Sequence, residues 1–230
     1  MADSQPQPEP TAAPRRGAAL AFGAAMVAVI ALVAILLSLG DGDSEASGAL
    51  VCEPVPGDGG PEECPSEIVT DPTDVAVATS EGEFRISLAT EDSPATTTSF
   101  RHLVEDGFYD GLTFHRIIPG FVVQGGDPNG DGSGGPGYYV DEEVPAGTTY
   151  APGTVAMAKT GTDPPGRSGS QFFVVSGPGG GQLPPEYAFV GEVSSGMEVV
   201  DAIDALGTSS GKPKKPVTIE SMTLVEPTAE

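Results

Sequence analysis

Few side chains in this chain can do chemistry. It holds two histidines, His102 and His115, two cysteines, Cys52 and Cys64, and 10 Lys and Arg against 33 Asp and Glu. Two histidines without a Cys or Glu pattern at ligand spacing fall short of a catalytic zinc centre, which needs three protein ligands. The stretch Gly166-Arg167-Ser168-Gly169-Ser170 begins like the sharp turn that presents a nucleophilic serine, but ends on Ser170 where that turn requires glycine. Gly130 to Gly135 satisfies the GxGxxG string, yet Pro136-Gly137 follows where a dinucleotide site must open a helix. Asp127, Asn129 and Asp131 imitate the first half of a calcium loop whose twelfth position is here Tyr138 instead of a bidentate glutamate. No metal and no cofactor is therefore expected. His102 reads as a solvated residue on a helix. His115 reads as a satisfied structural histidine that strand alternation turns away from its neighbour. That neighbour is Arg116, in Phe114 to Asp127, FHRIIPGFVVQGGD.

The elements that must position Arg116 are mostly strands. Gly at 32, Pro at 23, no Trp and 6% aromatics point to a loop-rich β protein. DVAVAT at 74–79 and EFRISLA at 83–89 read as a hairpin across Glu81-Gly82, and further runs lie at 112–118, 121–125, 153–158, 171–176, 188–193 and 217–225. Two helices interrupt these roughly eight strands. One opens at Ser93-Pro94, carries Phe100, Leu103 and Val104 on one face and stops at Gly107; the other runs from about Ser195 to Leu206. Closing the strands into a barrel removes exposed edges, with the helices as caps. The expected fold is mainly β: an eight-stranded antiparallel closed barrel capped by two helices.

In front of this domain, Ala18 to Leu39 runs 22 residues without a charge. As a helix it spans ~33 Å, enough to cross a bilayer. Arg15 and Arg16 precede it and Asp41, Asp43 and Glu45 follow, which places the N-terminus inside and the rest outside the membrane. A cleaved signal peptide is the competing reading, although its apolar core is normally ~7–15 residues. The expected organisation is a cytoplasmic tail at 1–16, a transmembrane anchor at 17–40, an acidic Pro/Gly linker at 41–73 and a folded domain at 74–230. Cys52 and Cys64 lie in the linker, where an oxidising compartment favours a disulfide over two free thiols. The net charge of −23 repels phosphate backbones, so nucleic acid is excluded as a partner.

FHRIIPGFVVQGGDP at 114–128, GGPGY at 134–138, GTVAMA at 153–158 and SGSQFFV at 168–174 together resemble the cyclophilin family of peptidyl-prolyl isomerases, in order and spacing, over Asp74 to Glu226. The resemblance implies an eight-stranded barrel with two capping helices, and a groove that binds proline-containing polypeptides. Phe121, Val122, Phe173 and Leu183 would hold the proline ring. Gln124 and Gln171 would offer amides to the substrate backbone, and Ala158 and Lys159 an edge along which it lies extended. Parity alone does not say which of Phe172 and Phe173 faces the core.

Rotation about an Xaa-Pro bond meets a resonance barrier of ~18–20 kcal/mol and breaks no bond, so it needs no nucleophile, metal or cofactor. At the twisted transition state the prolyl nitrogen carries a localised lone pair. A cationic donor placed there binds the transition state better than the planar ground state, and Arg116 is the candidate, with Gln124 beside it. The alternative is a non-catalytic proline-peptide binding module or holdase, for which an apolar groove alone would suffice. Three positions depart from the family: Gln182 where many members carry Trp, Tyr187 where many carry His, and Lys159 where Asn is usual. Tyr187 still supplies a ring and a hydroxyl, whereas Gln182 leaves cyclosporin binding in doubt. The expected activity is prolyl isomerisation in exported proteins, assisting their folding outside the membrane.

Overall fold

The computed structural model describes residues 49–55 and 63–227. The apolar stretch 18–39 lies outside them, and no helix among the described residues is long and apolar enough to cross a membrane. Eight strands form one antiparallel sheet in the order β11 (Ile219–Val225), β2 (Asp74–Thr79), β3 (Gly82–Leu88), β10 (Phe189–Ser195), β7 (Thr154–Met157), β9 (Phe172–Val175), β5 (Val122–Gly125) and β4 (Arg116–Ile118). The expected hairpin is β2–β3, in register from Asp74 opposite Ser87 to Thr79 opposite Gly82.

The sheet is a curled half-barrel, not the closed barrel expected. Its end strands β4 and β11 share no ladder. β4 ladders with β5 on one side, and its other side is taken by the 208–211 segment, where Ile117 N donates to Gly211 O at 2.8 Å and Ile117 O accepts from Thr208 N at 3.3 Å. The segment leading into β4 spans the seam instead, through one bridge between Thr113 and Thr218 and the bonds Gly111 N to Ile219 O (2.8 Å) and Phe114 N to Val217 O (3.0 Å).

A second, three-stranded sheet escaped the sequence reading: β1 (Cys52–Pro54) pairs with β6 (Tyr138–Asp141), which pairs with β8 (Arg167–Ser168). The boundary expected at Asp74 therefore moves. The described part of 41–73 is packed against the domain, with Leu50, Cys52, Cys64 and Ile68 against Tyr138, Val140 and Ala95. Too apolar-poor to build a core of its own, it borrows apolar partners from the domain. Cys52 and Cys64 are bonded to each other, so the disulfide ties β1 to the segment carrying Cys64 and Ile68, which packs on the same apolar cluster.

Helix α1 (Pro94–Glu105) puts Phe100, Leu103 and Val104 into the half-barrel, and α2 (Met197–Asp204) puts in Val200 and Ile203. Ser93 does not cap α1 with its side chain. Glu142, just past β6, does so, accepting from Ala95 N at 2.9 Å and Thr96 N at 3.2 Å, and a carboxylate suits a helix N-terminus. The core centres on Phe172, edge-on to Phe100 and Tyr109 at 5.5 Å each.

Candidate active site

Strand parity builds the site on the outer face of the sheet. Val123, Phe172 and Val174 point into the half-barrel core, while Val122, Phe173, Val175 and Ala156 form a second apolar cluster on the opposite face. Phe172 is thus the core ring and Phe173 the groove ring. Register sets one row across four strands, because Arg116 lies opposite Gln124, Gln124 opposite Phe173, and Phe173 opposite Ala156.

One local expectation needs correction. Alternation does not run through 113–117: Phe114 and Ile117 are both buried in the core, because regular strand begins only at Arg116. Phe121 reaches the groove from the turn before β5, where Phe121 N bonds Ile118 O at 3.0 Å. The two glycines serve close packing. A Cβ on Gly126 would stand 2.5 Å from Ser170 O, and Gly126 also has φ of +79°.

Arg116, Phe121, Val122, Gln124, Ala158, Lys159, Phe173, Leu183 and Tyr187 line one open cleft of about 330 Å³. Gln171 lines an adjoining cleft of about 210 Å³, which shares Gln124, Ala158 and Lys159 with the first. Gln182 ends a 3-10 helix, Pro178–Gln182, is exposed and lines neither; its neighbour Leu183 does the packing.

The polar side of the groove is a relay with a determined direction. Gln171 Nε2 donates to Gly132 O at 3.0 Å and Gly134 O at 2.9 Å. Two carbonyls can only accept, so the Gln171 amide nitrogen must face them and its oxygen must face Gln124. Gln124 Nε2 donates to Gln171 Oε1 at 3.1 Å, leaving Gln124 Oε1 to accept from Arg116 Nη1 at 3.0 Å. The Arg116 guanidinium also lies 5.9 Å from the centre of the Phe121 ring, within cation–π range.

Three supporting groups had no role in the sequence reading. Asp127 is buried, and its carboxylate accepts from the N–H groups of Asn129 (2.9 Å), Asp131 (2.8 Å), Gly132 and Gly134 (2.9 Å), fixing the loop whose carbonyls orient Gln171. The run that imitates a calcium loop is thus a self-satisfied Asx-type turn. Asp204, at the end of α2, accepts from Gly120 N (3.0 Å) and Ser176 Oγ (2.6 Å) and so pins the turn carrying Phe121. Tyr150 Oη donates to Tyr187 O at 2.8 Å and accepts from Tyr187 N at 2.9 Å, setting the Tyr187 ring edge-on to Phe173 at 5.4 Å. Lys159, its side chain 5% exposed, pairs with Glu186 at 3.0 Å and lies over the Tyr187 ring. Only Asp127 left a sequence signal, as the last residue of QGGD.

The histidines depart from expectation. His102 is half-buried on α1 and donates from Nε2 to the Glu63 carbonyl. His115 is not satisfied, because its Nδ1 is buried with no hydrogen-bond partner among the described residues, and it shares a cleft with Arg116 in place of turning away. Burial lowers its pKa below the usual imidazole value.

The half-barrel thus carries on its outer face a groove with an apolar floor, one oriented guanidinium and two linked amides. Residues 74–224 match the family model of cyclophilin type peptidyl-prolyl cis-trans isomerases, and the chain belongs to that family. It is a peptidyl-prolyl cis–trans isomerase by that membership. Among curated relatives, peptidyl-prolyl cis-trans isomerase B of Bacillus subtilis is 42% identical over 139 residues, covering 60% of this chain and 91% of the relative. The probable peptidyl-prolyl cis-trans isomerase B of Mycobacterium tuberculosis is 37% identical over 180 residues, 69% of this chain but 57% of the relative. The crystal structure of a Cryptosporidium parvum cyclophilin type isomerase superposes with a TM-score of 0.62 at 30% identity, covering 68% of this chain and 99% of that one. The same enzyme was also solved in the presence of the dipeptide Ala-Pro, with a TM-score of 0.61 here.

Proposed function

We propose that Arg116 is the electrostatic centre of prolyl isomerisation in this chain and that the proline ring rests on Phe121, Val122, Phe173 and Leu183. The observation that carries the reading is the orientation of Arg116: its guanidinium is tied by Gln124 at 3.0 Å over the rim of an apolar cleft. A donor held in place before the amide twists needs no reorganisation when the lone pair localises on nitrogen, so its benefit falls on the transition state. Gln124 keeps its own Nε2 toward Gln171, and Ala158, Lys159 and Tyr187 wall the groove along which substrate extends.

The enzyme is proposed to work outside the membrane on exported polypeptides, tethered by residues 18–39. The uncharged run of that stretch and the Cys52–Cys64 bond, a linkage typical of oxidising compartments, support this reading. The deciding experiment measures cis–trans exchange of an Ala-Pro peptide by the full chain and by Arg116→Ala. Wild-type acceleration that falls about 100-fold or more in the variant is expected, the usual scale for removing one oriented transition-state donor. Equal inertness of both with retained peptide binding would make the groove a holdase site instead. Protease accessibility of the domain on intact cells, lost when 18–39 is deleted, tests the location.

A further inference from the structure

The groove does not end at Arg116. Beyond Gln124 and Arg116 a shallow cleft of about 290 Å³ continues past His115 to Lys212, and it opens into a larger one of about 590 Å³ lined by His115, Lys212, Lys214 and Lys215. Gly211 makes the connection. Its carbonyl accepts from Ile117 N at 2.8 Å, and a Cβ at this position would stand 3.2 Å from Arg116 Cγ. Lys212, the next residue, therefore starts beside the stem of the proposed catalytic arginine.

The charge of this second cleft is unusual for the molecule. In a chain of net −23 with 10 Lys and Arg, three lysines fall within Lys212 to Lys215. Lys215 is already paired with Glu81 at 2.7 Å, and Lys214 donates one N–H to Ala205 O at 2.8 Å and makes no ion pair among the described residues. Lys212 is exposed and makes no ion pair among the described residues. On the near wall, His115 Nδ1 is buried without a hydrogen-bond partner among the described residues. Asp131 opposes this field at the rim, with its carboxylate turned onto Ser133, whose N and Oγ donate to it at 3.0 and 2.6 Å. An anion entering here is thus directed away from Asp131, toward Lys212 and Lys214.

We propose that this cleft receives the carboxylate of an acidic residue flanking the proline in the same bound polypeptide, so that the enzyme selects prolines with a Glu or Asp a few residues away on the Arg116 side. The proposal rests on the isomerase reading of the groove and adds the substrate class. An extended chain advances ~3.3 Å per residue, so the acidic side chain is sought about two to four residues from the proline. A carboxylate is chosen over a free anion because the clefts adjoin, sharing Arg116 and Gln124 on one side and His115 and Lys212 on the other, which lets one chain occupy both.

The test uses the full chain and fluorescein-labelled peptides carrying one proline and a single Glu at two, three or four residues before or after it, each matched to its Gln twin. Anisotropy reads binding and exchange spectroscopy reads turnover. The Glu peptide of one side should bind about fivefold tighter than its Gln twin, the scale of a partly exposed charge contact, and the ratio should fall toward one in Lys212→Gln and at high salt. Lys212→Glu should invert it. The Gln twins should bind and turn over equally in wild type and Lys212→Gln. A Glu/Gln ratio of one at every position, or one that survives Lys212→Gln, overturns the proposal. Absent turnover of the Gln twins instead overturns the isomerase reading, while the binding ratio still reports on the cleft.

Discussion

Arg116 can act only if something decides where its guanidinium points, and that decision is made three residues away along the relay. The carbonyls of Gly132 and Gly134 orient Gln171, Gln171 orients Gln124, and Gln124 holds Arg116. Removing the middle of the relay leaves Arg116 charged but unaimed. Gln171→Ala is expected to lower kcat/KM about tenfold or more, through kcat, since small displacements of a positioned group are costly. Stability should change by only about 1 kcal/mol, the net value of an ordinary hydrogen bond, because the side chain is only half-buried. Steady-state exchange rates together with urea unfolding of the variant separate the two effects. An unchanged kcat would show that Arg116 orients itself without Gln171.

At the scale of elements, the three-stranded sheet reaches the groove's adjoining cleft through Tyr139 of β6, but its apolar packing is separate. Its apolar cluster, Leu50, Tyr138 and Val140 with the two cysteines, shares no residue with the cluster of Val122, Tyr150, Ala156, Phe173 and Val175 beneath the Arg116 cleft. Arg167 ties the sheet together from outside, bonding both oxygens of Asp141 at 2.9 Å and reaching Glu53 on β1. The disulfide closes a separation of 12 residues, and cross-linking a loop of that size stabilises by about 3 kcal/mol. The double variant Cys52→Ser, Cys64→Ser should therefore lose up to about 3 kcal/mol in urea unfolding while keeping its exchange rate under folded conditions. A parallel loss of rate would mean that the sheet, through the loops flanking β6, supports the groove as well.

For the whole molecule, the shifted groups predict acid sensitivity. His115 has a lowered pKa, chiefly through burial; Asp127 and Asp131 nearby act to raise it and Arg116 to lower it. The unfolded chain then takes up its proton at higher pH than the folded one, so stability is full above the ordinary value of 6.5 and falls as pH drops below it. Asp141 is lowered by its bonds to Arg167, and its contribution is present above 3.8 and lost as pH falls through its depressed folded value. Both act in the same direction. Urea midpoints should fall between about pH 7 and about pH 5, and His115→Asn should flatten that step. A midpoint that rises on acidification would contradict the buried, neutral assignment of His115.

The sequence by itself determined the local order, the β2–β3 hairpin and both helices, because short-range periodicity and punctuation by Gly and Pro act within a few residues. It also carried the motif residues Arg116, Gln124 and Phe173 in family order. Three things were decided only by tertiary structure. Whether Phe172 or Phe173 faces the groove depends on which side of β9 the half-barrel curls toward, and parity is blind to that. The seam between β4 and β11 depends on pairings about 100 residues apart, where loop closure and not local propensity sets the register. The roles of Asp127, Asp204 and Tyr150 come from bonds to backbone groups brought near only by folding, and a carboxylate or hydroxyl in the chain gives no sign of which distant N–H it will meet.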